Sequence, residues 1–131
     1  MAEHPDITLV KRGYDAFTTA DVATLSQLIA PDAVQHFPGN HQLSGDYKSR
    51  DEILGFYGRL SELTDGTFAV RPEQFYADGH GHVLAVHHVT AERAGKRLDQ
   101  REGLLFRIEA GQFVELTDLS EDLEADDDFW A

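Results

Sequence analysis

The first half of the chain places apolar residues three or four positions apart, which is the period of an amphipathic helix. Asp21 and Ser49 stand just before two of these stretches, where a short polar side chain caps the first backbone N–H groups of a helix. Glu52, three residues after Ser49, completes a capping box. The pattern predicts three helices, over residues 6–19, 22–29 and about 49–63.

After Thr67 the apolar and polar residues alternate, as they do in strands. Pro72 falls in the first of these stretches and predicts an edge strand or a break. Because helices come first and strands joined by tight turns follow, we expect an α+β fold whose antiparallel meander covers the helices. The expected strands are 33–37, ahead of a polar loop over 41–48, then 68–70, 75–76, 83–91, 98–108 and 113–119.

Length and charge narrow the class of protein. A chain of 131 residues, 41% of them hydrophobic, predicts a single domain over 1–131 that ends in an acidic segment from about 121 to 131. The net charge of −13 argues against nucleic acids and anionic membranes as partners, because both are bound through clustered Lys and Arg. The acidity fits either a halophilic source or an ordinary acidic protein.

Several kinds of site and location are not expected. The chain has no cysteine, which excludes disulfides, thiolate nucleophiles and cysteine-based zinc sites. No apolar run approaches the roughly 20 residues that span a bilayer. The opening residues lack the basic and apolar regions of a signal peptide, so we expect a cytoplasmic protein.

Short segments in a fixed order carry a family resemblance. Together they make the chain resemble the SnoaL-like domains related to ketosteroid isomerase, within the nuclear-transport-factor-2-like superfamily. The resemblance implies a cone-shaped, curved antiparallel sheet wrapped around three N-terminal helices, an internal apolar pocket, a homodimer formed through the sheet, and no cofactor. The segments are Tyr14-Asp-Ala-Phe17, Ala20-Asp21, Leu25-Ser-Gln-Leu28, Pro31-Asp-Ala-Val34, Gly45-Asp-Tyr-Lys-Ser-Arg-Asp51, Phe106-Arg107, Ala110-Gly111 and Val114-Glu115.

The resemblance also locates catalytic positions. Ketosteroid isomerases use one Tyr and two Asp, and the matching positions here hold Gly13, Phe37 and Leu104, none of which transfers a proton. Tyr14 adjoins the first of them, but an offset of one residue in a helix turns a side chain by about 100°. Steroid isomerase chemistry of that type is therefore not expected.

Asp118 is the main candidate for acid–base chemistry. SnoaL-like polyketide cyclases use an Asp of the last strand in an aldol-type ring closure, and Asp118 stands at the matching position. Alternation places it on one face with Val114 and Leu116, which indicates the interior; the alternative is a solvated position at the rim. His36 in the first strand is the second catalytic candidate, as a partner of Asp118 or as an ordinary histidine satisfied by backbone groups.

Two strands carry further polar candidates. Glu102 alternates with apolar residues and is predicted either to contact a substrate or to form a cross-strand ion pair with an Arg. His87 and His88 point to opposite faces that are both apolar, so alternation does not choose between them, and we take His88 as the candidate ligand contact. His80 and His82 supply too few ligands for a closed zinc site, and no metal is expected.

An apolar pocket predicts a hydrophobic small molecule as the ligand. Two functions fit this pocket. One is a cofactor-independent cyclase, isomerase or hydrolase that acts by acid–base chemistry on a hydrophobic carbonyl or cyclic compound. The other is a non-catalytic binding or dimerisation module that lost the isomerase residues. The predicted catalytic residues are Asp118 and His36, and the predicted substrate-binding residues are Tyr14, Phe37, Phe56, Tyr57, His88, Glu102 and Phe106.

Overall fold

The computed structural model of the protein describes residues 2–131, which form four helices and one six-stranded sheet. The chain begins with two helices, and four of the six strands lie after residue 68. In chain order the elements are α1 (Pro5–Thr18), α2 (Val22–Leu28), β1 (Ile29–Phe37), β2 (Gly45–Lys48), α3 (Arg50–Leu63), β3 (Ala69–Ala77), β4 (His82–Arg93), β5 (Lys96–Glu109), β6 (Gln112–Ser120) and α4 (Leu123–Trp130).

The sheet has the strand order β2-β1-β6-β5-β4-β3 and confirms the predicted α+β fold. β3 to β6 form the predicted meander of antiparallel hairpins. β1 joins β6 in parallel, so the sheet is mixed, whereas the sequence predicted antiparallel pairing throughout. The reason is topological. β2 occupies one edge of β1, and the other edge pairs only with the last strand, β6, which runs in the same direction as β1.

The helix signals of the sequence are confirmed in their contacts. The Asp21 carboxylate accepts a hydrogen bond from the Thr24 backbone N–H at 3.1 Å, and Ser49 Oγ accepts one from the Glu52 N–H at 3.2 Å. Each bond satisfies one of the backbone donors that a helix leaves free at its start. α2 therefore begins after Asp21 and α3 after Ser49, as predicted.

Two strands differ from the prediction. β1 begins at Ile29, directly after α2, and its pairing register with β6 shifts between Ile29 and Val34, which accommodates the exposed Pro31. β2 occupies part of the expected polar loop. It is a four-residue edge strand with mostly exposed side chains, so hydrophobic alternation had no signal to detect there.

Pro72 acts as the sequence predicted. β3, which carries it, is the edge strand next to β4, and the pairing register shifts between Pro72 and Gln74. A proline has no backbone N–H to donate to a neighbouring strand, so an edge position with a register shift is compatible with it.

Two clusters of buried apolar side chains lie between the helices and the inner face of the sheet. The first joins α1 and α2 to the sheet, with Val10 and Phe113 fully or almost fully buried. The second lies around Phe56 of α3 and includes Phe129 and Trp130 of α4. The acidic C-terminal segment is thus a docked helix and not a frayed tail, although none of its residues lines the cavity described below.

α4 is held at its C-terminal end by cations from the β4–β5 hairpin. Arg93 donates to the carbonyl oxygens of Phe129 at 3.1 Å and Ala131 at 2.8 Å, and Lys96 Nζ donates to the Asp128 carbonyl at 2.7 Å. Positive side chains at this end complement the helix dipole and satisfy carbonyls that have no partner within the helix.

Within residues 2–131, no helix combines the length and the hydropathy that crossing a bilayer requires.

We predict that Trp130→Ala lowers the free energy of unfolding by about 3–5 kcal/mol, because it opens a large cavity beside Phe68 and Phe129. Urea denaturation followed by circular dichroism measures the change. Leu123→Ala on the same helix is the control, since Leu123 is 48% exposed and its truncation is expected to cost less than about 0.5 kcal/mol. Equal losses in both variants would contradict a docked α4.

Candidate functional site

A cavity lies between the helices and the inner face of the sheet. It comprises about 570 Å³ of space free of atoms, a figure that includes the solvent at its open mouth. Its walls are mainly aromatic and aliphatic, and they include the predicted contacts Phe37, Phe56 and Phe106. The cavity is also lined by the three positions matched to the isomerase residues, which are Gly13, Phe37 and Leu104. None of these three has a side chain that can transfer a proton.

Asp118 lies in this cavity and is only 9% exposed, so its predicted interior position is confirmed and the rim position is not. A chain of two hydrogen bonds holds its carboxyl. Tyr57 Oη donates to Gln35 Oε1 at 2.6 Å, and Gln35 Nε2 donates to Asp118 Oδ2 at 2.8 Å. The tyrosine therefore fixes the orientation of the amide, and the amide fixes one oxygen of the carboxyl.

Burial raises the pKa of Asp118 to about 8, and the neighbouring carboxylates of Glu102 and Asp126 add to this shift, while the amide of Gln35 opposes it. Desolvation dominates because an apolar cavity stabilises a charged carboxylate far less than water does. At neutral pH the carboxyl is therefore mostly protonated, and it can both donate and accept a hydrogen bond. A pKa close to neutrality is suited to proton transfer.

A second polar group in the cavity is formed by Tyr14, His87 and Glu102. Tyr14 Oη lies 2.6 Å from His87 Nδ1, and His87 Nε2 lies 3.5 Å from Glu102 Oε1. All three are buried, and they come from α1, β4 and β5. Burial, together with the charges of Asp118 and Glu102, raises the pKa of Tyr14 well above its ordinary value, so its hydroxyl stays protonated.

Glu102 also contacts a network behind the cavity wall. Gln100 Nε2 donates to Glu102 Oε2 at 3.2 Å and to Asp126 Oδ1 at 2.8 Å. Burial raises the pKa of Asp126 to about 6, and the adjacent Glu102 contributes to the rise. Through this network α4 is connected to a side chain that lines the cavity.

His36 does not lie in the cavity, so the predicted His36–Asp118 pair is not formed. Its imidazole lies between two surface carboxylates, with Nδ1 2.7 Å from Asp46 and Nε2 2.8 Å from Glu115. The physical reason is strand alternation: His36 and Phe37 are adjacent and point to opposite faces, and Phe37 faces the cavity.

His88 was the wrong choice of the two neighbouring histidines. It lies on the outer face and pairs with Asp99, while His87 lines the cavity. The sequence contained a signal that selects His87. In a hairpin with a two-residue turn at Ala94–Gly95, the numbers of any two opposite residues have the same sum. His87 therefore lies opposite Glu102, on the same face of the sheet.

The remaining predicted contacts, Tyr14, Tyr57 and Glu102, all line the cavity. Glu102 does not form the expected cross-strand ion pair with an arginine; the side chain opposite it is His87, at 3.5 Å. Gln35 was not predicted. Alternation in β1 could have found it, because Gln35 shares a face with Ala33 and Phe37, and a buried amide on that face needs polar partners.

Among residues 2–131, no three or more His, Asp or Glu side chains are grouped so as to hold a metal ion.

The chain is similar to known proteins in both sequence and fold. The SnoaL-like domain family matches residues 10–116, and the chain belongs to that family. An uncharacterised protein of Mycobacterium tuberculosis H37Rv is 37% identical over 131 residues, which cover all of both chains. Bal32a, from a soil-derived mobile gene cassette, is 36% identical over 96% of each chain with a TM-score of 0.94. TerC, crystallised with polyporic acid, shares the fold at 17% identity and a TM-score of 0.83, over 95% of this chain and 97% of TerC.

We predict that Asp118→Asn removes a pH-dependent part of the stability. A carboxyl whose pKa is about 8 when folded and near 4 when unfolded binds more protons in the folded state, so the wild type loses stability as pH rises through this range. The variant lacks this loss. Between pH 6 and 8, above the pKa of Asp126, the unfolding free energy of the wild type should fall relative to Asp118→Asn by at least about 1.4 kcal/mol.

Urea unfolding at several pH values measures the difference, and groups that do not interact with Asp118 cancel in it. Asp32→Asn is the matched control, because Asp32 is exposed and its replacement should leave the pH dependence unchanged. A parallel pH dependence in wild type and Asp118→Asn would show that this carboxyl is ionised in the folded protein.

Proposed function

We propose that the cavity binds a neutral, mainly apolar small molecule with a carbonyl or similar oxygen, and that Asp118 exchanges a proton with it without a cofactor. The observation that carries this proposal is the position of Asp118, a buried carboxyl whose pKa is raised to about 8 inside an aromatic cavity. A protonated carboxyl stabilises negative charge that develops on an oxygen, and it does so most strongly where water is excluded.

Gln35 determines which oxygen of Asp118 acts. Its amide donates to Oδ2, so the proton of the neutral carboxyl belongs on Oδ1. The hydroxyl of Tyr57 prevents the amide from turning over, because its bond to Gln35 Oε1 would be lost. We assign Gln35 and Tyr57 as positioning residues and Asp118 as the catalytic acid/base.

The reaction class that suits this site is proton transfer at a carbonyl compound, as in isomerisation or aldol-type ring closure. Membership of the SnoaL-like family supports a small-molecule site. An anionic ligand is disfavoured, since no lysine or arginine lines the cavity to pair with it.

We also propose a homodimer formed through the outer face of the sheet. Leu105 and Leu119, on adjacent strands β5 and β6, are 37% and 48% exposed on this face. Gly103, the partner of Leu119 in the pairing register, adds no side chain to this face, and Leu84 and Leu119 lie beside it. A second copy of this face would bury these leucines from water.

To test the site we choose 2-tetralone, an apolar ketone whose α-hydrogens exchange with solvent when it enolises. The melting temperature should rise with 2-tetralone concentration, and the protein should accelerate deuterium exchange followed by NMR in D₂O. Asp118→Asn should lower the exchange rate about 10²–10⁴-fold and retain the melting shift. Asp32→Asn should change neither.

The outcomes separate the two functions. A melting shift without accelerated exchange would support a binding module that lacks acid–base chemistry. Exchange that persists in Asp118→Asn removes this residue from the mechanism. A cavity that binds neither 2-tetralone nor related apolar ketones would refute the proposed ligand class.

For the dimer, we predict that Leu119→Asp shifts the protein from a dimer to a monomer in light scattering at micromolar concentration. A charge on the outer face cannot be buried against its copy without a large desolvation cost. Val22→Asp is the control, because Val22 is also exposed, at 56%, but lies on α2. A wild-type protein that is monomeric at all concentrations would contradict the proposed interface.

A further inference from the structure

Tyr14, His87 and Glu102 form a continuous line of polar side chains within the cavity wall. The hydroxyl, the imidazole and the carboxyl follow one another at 2.6 Å and 3.5 Å. The exposed fractions of these residues are only 7%, 4% and 8%. A hydroxyl, an imidazole and a carboxylate in this order are the three parts that activate an oxygen in acid–base catalysis.

One tautomer of His87 suits a relay that starts at Tyr14. A neutral imidazole has one N–H, and its other ring nitrogen accepts hydrogen bonds. With the N–H on Nε2, which lies 3.5 Å from Glu102 Oε1, Nδ1 is an acceptor and receives the proton of the Tyr14 hydroxyl at 2.6 Å. The phenolic oxygen then has no proton of its own to offer to the cavity, and its free lone pairs are acceptors.

Resting on the proposed function, we infer that Tyr14, His87 and Glu102 act as the general base of the cavity, complementary to the acid Asp118. Tyr14 is the residue that touches the ligand, and His87 and Glu102 are positioning residues that act through it. The ligand class that needs both groups is an enolisable carbonyl compound, which loses a proton at carbon and gains one at oxygen.

The proton balance of this step is closed. Tyr14 Oη takes the proton from the α-carbon while its own proton passes to His87 Nδ1, so the imidazole becomes an imidazolium paired with Glu102. The electron pair of the broken C–H bond forms the C=C bond of the enol. The carbonyl oxygen takes the proton of Asp118, which becomes a carboxylate. Returning the protons in the reverse sense, at the same carbon or at a conjugated one, restores the resting state.

The environment of Tyr14 favours a relay over a free phenolate. Burial and the charges of Asp118 and Glu102 raise the pKa of Tyr14, so the phenolic proton is not released to solvent. It can leave only as another proton arrives, and His87 Nδ1 at 2.6 Å is the group placed to receive it. Tyr14 and Asp118 both line the cavity, so the acid and the base face the same space.

The tautomer of His87 is the first test and needs no ligand. In protein labelled with ¹⁵N at histidine, two-dimensional NMR at pH 7.5 distinguishes a protonated Nε2 from a protonated Nδ1. We expect His87 to carry its proton on Nε2, and Glu102→Gln to lower the population of that tautomer. A proton on Nδ1 in the wild type would overturn the relay, because Tyr14 could then not donate to that nitrogen.

The second test is the exchange of 2-tetralone in D₂O. Tyr14→Phe should lower kcat for exchange on the order of 10²-fold with little change in KM, since it removes one oxygen and leaves the ring packing. Glu102→Gln should lower kcat in the same direction. The controls are Tyr76→Phe and Glu92→Gln, which alter exposed side chains outside the cavity and should leave exchange unchanged.

These results distinguish failure of the relay from failure of the proposed function. Full activity in Tyr14→Phe, with activity lost in Asp118→Asn, would overturn the relay and leave the acid in place. No exchange in the wild type would overturn the proton-transfer function, and the role of the relay in it. A smaller kcat in Tyr14→Phe together with the Nε2 tautomer supports both.

Discussion

The burial of Asp118 is the constraint on which the proposed chemistry depends. The carboxyl lies among aromatic side chains and is hydrogen-bonded by the amide of Gln35, not by a lysine or an arginine. Without a cation, desolvation determines the protonation state, and the carboxyl is neutral near pH 7. A neutral carboxyl can donate to a ligand oxygen, whereas a salt-bridged carboxylate could only accept. The same absence of a cationic partner disfavours an anionic ligand and favours a neutral one.

The architecture brings together groups that lie far apart along the chain. Tyr57 of α3 reaches across to Gln35 of β1, and β1 carries Gln35 beside β6, where Asp118 lies. The second group, Tyr14 with His87 and Glu102, joins α1 to β4 and β5. The two groups meet at the β5–β6 pair, because Asp118 is opposite Leu104, two residues from Glu102. The parallel pairing of β1 with β6 is therefore what completes the polar part of the cavity.

Hydrophobic periodicity predicted those helices and strands that bury one face and expose the other. The three N-terminal helices and the β4–β6 meander were found because each has one apolar face against the same core. Asp118 was placed correctly for the same reason, since it alternates with Leu116 on the inner face of β6. Periodicity did not predict β2, because the side chains of this strand are mostly exposed. It also did not predict the parallel pairing of β1 with β6, because the local pattern does not determine which strands pair. The choice between His87 and His88 required the register of a hairpin, which pattern within one strand does not contain.

The sequence by itself determined the α+β class, the family resemblance, the aromatic character of the cavity and the interior position of Asp118. These properties depend on which residues each helix or strand buries, and the spacing of apolar residues along the chain indicates that burial. Only the tertiary structure decided that Asp46 and Glu115 are the partners of His36, that Gln35 binds Asp118 and Tyr57, and that His87 joins Tyr14 to Glu102. A hydrogen-bond partner is chosen by distance and direction between separate elements. Those quantities do not exist until the helices and the sheet have packed.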